Sequence, residues 1–158
     1  MKTLDNALSK IEQYFIGIVL LFVAFILFIN VSLRAIGLSI MWAEEVARYS
    51  IVWVTFIGSS VCIYKGAHIG VDAIMNILKP RGKKILLIVT ILMAIVFSVI
   101  FTYLSLVITK SVYQMKQESS TLKIPMVYVY SAMPVGGVLM VIRYIQQLFE
   151  QFGRRGEK

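Results

Sequence analysis

The sequence predicts an all-α integral membrane protein with four transmembrane helices, and three observations carry that prediction. Four long apolar runs, roughly 14–33, 49–64, 85–109 and 124–142, hold almost nothing ionisable. The chain has 158 residues, is 59% hydrophobic and has mean hydropathy +0.83. The polar segments between the runs are short, so all 158 residues are read as one membrane domain with no soluble catalytic domain. A hydrocarbon core of ~30 Å is crossed by about 20 apolar residues as helix. Lipid offers no partner for backbone polar groups, so each run is read as helix.

Residues 1–13 are mixed-charge and read as a short lead-in. The first run lacks a small-x-small cleavage site before Arg34 and is longer than a signal-peptide core, so it is read as a retained span over 14–34. Gly37 and Ser39 allow a turn, and Ser39 suits an N-cap. Trp42, Glu44, Glu45 and Arg48 mark a short interfacial helix over 40–48, leading into a span over 46–65. Between 65 and 84, Val71, Ile74, Met75 and Leu78 repeat at i, i+3, i+4, i+7 with Asp72, Asn76 and Lys79 opposite. That pattern predicts a second amphipathic interfacial helix over 69–79. Pro80-Arg81-Gly82 turns the chain into the longest span, 85–110. The polar segment 110–123 lies outside the bilayer, and Ile124-Pro125 opens a fourth span over 125–145. Pro134 removes a backbone bond to residue 130 and predicts a kink. Ile145, Leu148, Phe149 and Phe152 carry the helix onward to a glycine stop at Gly153.

The net charge of +8 sorts by side. Four spans put both termini and the 65–84 loop on one face, with eleven of the 16 Lys and Arg residues. The positive-inside rule then places both termini in the cytoplasm and makes lipid headgroups, not nucleic acid, the partner of this charge. Cys62 is the only cysteine and His68 the only histidine. A thiol redox pair, paired haem ligands or a zinc site cannot be assembled from them, so no cofactor and no enzymatic activity are expected. No acid or arginine is expected deep in a span, where a self-sufficient transporter usually keeps one.

Thr90, Ala94, Ser98, Thr102, Ser105 and Thr109 share one face of the third span, and Gly58, Cys62 and Gly66 form a row on the second. Small residues let membrane helices approach closely. The rows serve either packing within this chain or a face for another protein, and Pro125 and Pro134 join them as candidate contacts. Glu44 or Glu45 with Arg48 has helical ion-pair spacing, and with Trp42 the cluster suits anchoring or docking at the outer face. His68 and Asp72 have the same spacing at the inner exit of the second span.

The string Trp42-x-Glu44-Glu45-x-x-Arg48-Tyr49-x-x-x-Trp53-x-x-Phe56-x-Gly58 is followed by Lys65-Gly66-x-His68-Ile69-x-Val71-Asp72. Later come Ser120-x-Leu122-x-Ile124-Pro125 and Met133-Pro134-x-Gly136. In this order the chain resembles the small, DctQ-like membrane subunit of tripartite ATP-independent periplasmic (TRAP) transporters. The resemblance implies a scaffold subunit in the bacterial inner membrane that braces a large elevator-type membrane subunit in one-to-one ratio. It implies import of organic anions, such as sialic acid or dicarboxylates, delivered by a periplasmic substrate-binding protein. Sodium coupling and the substrate site are then expected on the large subunit. Two alternatives stand beside it: an accessory subunit of an unrelated membrane complex, and an autonomous small four-helix transporter.

Overall fold

The computed structural model describes residues 2–38, 40–64 and 80–153. Its elements are α1 (Lys2–Ala35), α2 (Met41–Tyr64), α3 (Pro80–Gln114), a single turn α4 (Val127–Tyr130) and α5 (Ala132–Gly153). Four stretches are long and apolar enough to cross a membrane: Leu8–Ala35, Met41–Tyr64, Ile85–Gln114 and Val127–Phe149. The expected interfacial helix over 69–79 lies outside the described residues.

The helices begin earlier than hydropathy alone suggests. Helix α1 starts at Lys2 instead of 14, because Leu4, Ala7, Leu8, Lys10, Glu12 and Gln13 are good helix formers. Residues 41–48 are the first two turns of α2, not a separate interfacial helix. Pro80, read as part of a turn, is the first residue of α3, where its missing N–H costs nothing. Helix α1 ends on Gly37 in the left-handed region (φ 80°), with Leu38 N–H donating to Leu33 O at 3.0 Å. Asn30, buried on α1, accepts from Ile40 N–H at 2.8 Å and ties this turn to the head of α2.

The helices form an open row. Helix α1 packs on α2, α2 on α5 and α5 on α3. The seam of α1 runs through Ser9, Glu12, Ile16, Val19, Val23, Ile26 and Asn30, alternating steps of three and four, the spacing of a coiled-coil stripe. The other faces of α1 and α3 point outward and are greasy: Phe22, Phe25 and Phe28 on one, Phe97, Ile100 and Tyr103 on the other.

Two adjacent glycines set the spacing at the centre. A Cβ on Gly136 would stand 2.6 Å from Phe56 Cβ and 3.0 Å from Phe56 O on α2. A Cβ on Gly137 would stand 2.5 Å from Thr102 Oγ1 and 3.3 Å from Thr102 Cα on α3. Helix α5 thus touches both neighbours backbone to backbone, and Phe56 and Phe101 stack beside it with centroids 5.7 Å apart. Ser98 and Ser105 of the small-residue row are buried and Thr102 between them abuts Gly137, so this part of the row is used within the chain.

Pro134 acts at the start of α5 instead of its middle. The break falls at Ser131, between α4 and α5. Thr109 Oγ1 of α3 stands 3.3 Å from Tyr130 O, the carbonyl that Pro134 cannot serve, and 2.8 Å from Ser105 O. Pro125 does not open the helix. It sits opposite Glu118 in a bridge of a tight hairpin, closed by Ser119 N–H to Ile124 O (3.0 Å) and Met126 N–H to Gln117 O (2.8 Å).

Candidate functional site

The chemistry concentrates at the two ends of the row. At the end where α1 begins, Arg143 Nη2 of α5 donates to Glu12 Oε2 of α1 at 2.9 Å. Ser60 Oγ of α2 donates to Glu12 Oε1 at 3.0 Å. The guanidinium carbon lies 4.7 Å from the ring centroid of Tyr64, a cation–π distance. The Arg143 and Glu12 side chains are 1% and 5% exposed. Three helices therefore meet at one closed charge pair. Nε and Nη1 of Arg143 are buried without a hydrogen-bond partner.

This node corrects the reading of Glu12 as lead-in before the first span and of Arg143 as a surface cation; both lie near the ends of their apolar stretches, not at mid-span. Glu12 and Arg143 fall inside Leu8–Ala35 and Val127–Phe149. The signal was present in the α1 seam. Stepping back from Asn30 through Val23, Val19 and Ile16 lands on Glu12, a core position and not a surface one. Arg143 likewise lies seven residues after Gly136, on the same face of α5 toward α2.

At the opposite end, Glu45 is a clamp. Its Oε1 accepts from Tyr49 O–H at 2.6 Å, and its Oε2 accepts from the backbone N–H groups of Thr121 (3.1 Å) and Leu122 (2.9 Å). One carboxylate on the second turn of α2 thus holds the tip of the hairpin between α3 and α4. Two lysines of this segment, Lys116 and Lys123, take left-handed φ values of 49° and 51°. Neither expected pairing with Arg48 forms through these contacts. Glu44 meets Arg34 at 3.8 Å across the α1–α2 turn, with side chains 59% and 74% exposed, and Glu45 is occupied by the hairpin. An ion pair so exposed contributes little. Arg48 is exposed, as is Trp42 at 45%.

The other predicted positions scatter. Gly58 faces Ile16 of α1 at an ordinary 3.8 Å and, with exposed Cys62, lines a groove of about 430 Å³ between α2 and α5. Ala94 is half-buried, Ser98 and Ser105 are buried, Thr102 abuts Gly137 and Pro134 is buried. Gly66, His68 and Asp72 lie outside the described residues. Among the described residues no group of three His, Cys, Asp or Glu could hold a metal ion.

The model of the DctQ component of tripartite ATP-independent periplasmic transporters matches residues 23–154. The chain belongs to that family. This DctQ component is 29% identical to the C4-dicarboxylate TRAP transporter small permease protein DctQ of Rhodobacter capsulatus over 77% of its own length and 53% of the relative's. It is 28% identical to the ectoine TRAP transporter small permease protein TeaB of Halomonas elongata, covering 90% and 75%. It also matches the sialic acid TRAP transporter permease protein SiaT of Haemophilus influenzae at 26% identity, covering 88% of this chain but 22% of that longer one. The DctQ component spans about half the length of its Rhodobacter relative and about a fifth of SiaT. Four apolar helices and this family make it a multi-pass membrane subunit of a TRAP transporter.

Proposed function

We propose that this chain is the static scaffold subunit of a sodium-coupled importer of organic carboxylate anions. It stands beside one large permease subunit in the bacterial inner membrane, with both termini in the cytoplasm. The observation that carries the reading is the closure of the Glu12–Arg143 pair. The two charges pair with each other beside Ser60 and Tyr64 and are almost wholly buried, so neither is offered to a passing solute. A carrier keeps its embedded charges facing a cavity, whereas a brace keeps them locked between its own helices. The named cargoes of similar proteins support the same division of labour. Relatives named for C4-dicarboxylate, ectoine and sialic acid stand at a nearly uniform 26–29% identity to this chain. Cargo choice and the sodium sites then belong to the large subunit. The hairpin end, with Trp42, Glu44 and Arg48 still exposed, faces the periplasm and is the surface open to a substrate-binding protein.

Affinity purification of the chain from its native membrane tests this. A larger polytopic permease should co-purify in one-to-one ratio, and liposomes holding the chain alone should take up no carboxylate in a sodium gradient. Sodium-driven uptake by the isolated chain would overturn the scaffold reading.

A further inference from the structure

The seam between α3 and α4–α5 carries a feature that the scaffold role does not use. At the hairpin end a cleft of about 290 Å³ opens between the last turn of α3 and the turn α4. Tyr113 and Tyr128 flank it and are 69% and 64% exposed. Lys116 and Glu118 also line it, and they do not pair with each other. The apolar walls are Val112 and Val127. Tyrosines in this position suit the headgroup level of a bilayer.

A second groove, about 320 Å³ and almost wholly apolar, lies deeper on the same pair of helices. Its α3 wall is Leu106, Tyr103 and Val99, and its α5 wall is Val138 and Ile142. The two openings share one face. From Tyr113 back to Leu106, Tyr103 and Val99 the steps are seven, three and four. On α5, Val135, Val138 and Ile142 step by three and four, and Tyr128 stands on the turn α4 that precedes them. Such steps keep residues on one side of a helix. Tyr103 lies ten residues before Tyr113, roughly 15 Å along α3, which is about the depth of one leaflet's hydrocarbon.

We propose that this seam is a binding site for one zwitterionic aminophospholipid. The phosphate sits on Lys116, the primary ammonium on Glu118, and one acyl chain follows the groove between Tyr103 and Ile142. The opposite charges select the headgroup. Phosphatidylglycerol offers Glu118 hydroxyl donors but no cation, and the quaternary ammonium of phosphatidylcholine has no N–H to donate to it. The hairpin clamp on Glu45 keeps the cleft's rim in place from the far side.

Native mass spectrometry of the full chain in detergent tests the site, with equal amounts of phosphatidylethanolamine, phosphatidylglycerol and phosphatidylcholine added. The wild type should retain phosphatidylethanolamine over phosphatidylcholine by about threefold, the effect of one exposed charge-assisted hydrogen bond. Glu118→Gln should remove that preference, and Lys116→Gln should weaken retention of every phospholipid. Val138→Trp fills the groove without touching a charge and should lower lipid retention with the helix content unchanged. Equal retention of the three lipids, a preference for phosphatidylglycerol, or a Glu118→Gln chain that still prefers phosphatidylethanolamine would each overturn the assignment. The readout is a lipid adduct, not assembly or uptake, so it stands or falls apart from the scaffold proposal.

Discussion

Removing one partner of the Glu12–Arg143 pair should destabilise the chain far more than removing both. At 2.9 Å and an effective dielectric constant of ~20, Coulomb attraction between unit charges is about 6 kcal/mol. Desolvating the two ions costs several kcal/mol each, so the pair as a whole sits near balance against an apolar replacement. Glu12→Gln leaves the guanidinium buried opposite a neutral amide, and Arg143→Met leaves the carboxylate without its cation. Each single change should cost about 3–5 kcal/mol. Glu12→Met with Arg143→Met removes both charges and keeps the volume, and should fall within about 2 kcal/mol of the wild type. The assay is equilibrium unfolding of the purified chain in mixed micelles by added dodecyl sulfate, followed by far-UV circular dichroism. A double variant whose cost equals the sum of the singles within about 0.5 kcal/mol would refute the reasoning, because uncoupled sites add and paired ones do not.

Four further outcomes follow from named contacts. Ser60→Ala should cost about 1.5–3 kcal/mol in the same titration, since its hydroxyl donates to a buried carboxylate. Gly136→Ala should cost about 1–3 kcal/mol, because its Cβ meets Phe56 backbone 3.0 Å away and the helices must part; Gly17→Ala, with open space around it, is the control and should be nearly neutral. Glu45→Ala should free the Thr121 and Leu122 amides, raising their hydrogen-exchange rates by about tenfold or more while the α3 amides stay protected. Thr109→Val should cost about 1 kcal/mol alone and much less alongside Pro134→Ala, which returns an N–H to Tyr130 O; equal costs in both backgrounds would separate Thr109 from that carbonyl.

The sequence announced four spans because hydropathy sums over a whole helix and tolerates local error. It placed the start of α1 too late for the same reason. Hydropathy rewards apolar residues, and the first turns of α1 carry charge because they leave the hydrocarbon, not because they leave the helix. Glu12 was hidden by that choice: read as lead-in, it had no face and no partner. Arg143 was counted as a surface cation, and only the tertiary meeting of α1, α2 and α5 shows that it is neutralised. The fate of Glu45 was illegible for a different reason. Its partners are the backbone amides of Thr121 and Leu122, 76 and 77 residues away, and amides carry no sequence signature. Pro134 was recognised as a helix disturbance, but its offset from the start of α5 depended on a hairpin that Ile124-Pro125 alone did not suggest.

The distribution of polar contacts explains how such a greasy chain chooses one order of helices. In lipid, apolar side chains gain little by leaving the acyl chains, so Phe and Leu on α1 do not say which neighbour to prefer. Close approach and hydrogen bonding do. The glycine pair fixes α5 between α2 and α3 at the middle of the row, where any side chain would hold the helices apart. Glu12 then fixes α1 at one end, because its carboxylate takes a hydroxyl from α2 and a guanidinium from α5 at once. Asn30 and Glu45 close the other end by taking backbone N–H groups of the α1–α2 turn and of the hairpin. A single polar substitution at any of these points should therefore change the order or spacing of the helices before it changes their number. Cysteine cross-linking between α1 and α2 would detect that change in a chain whose helix content is intact.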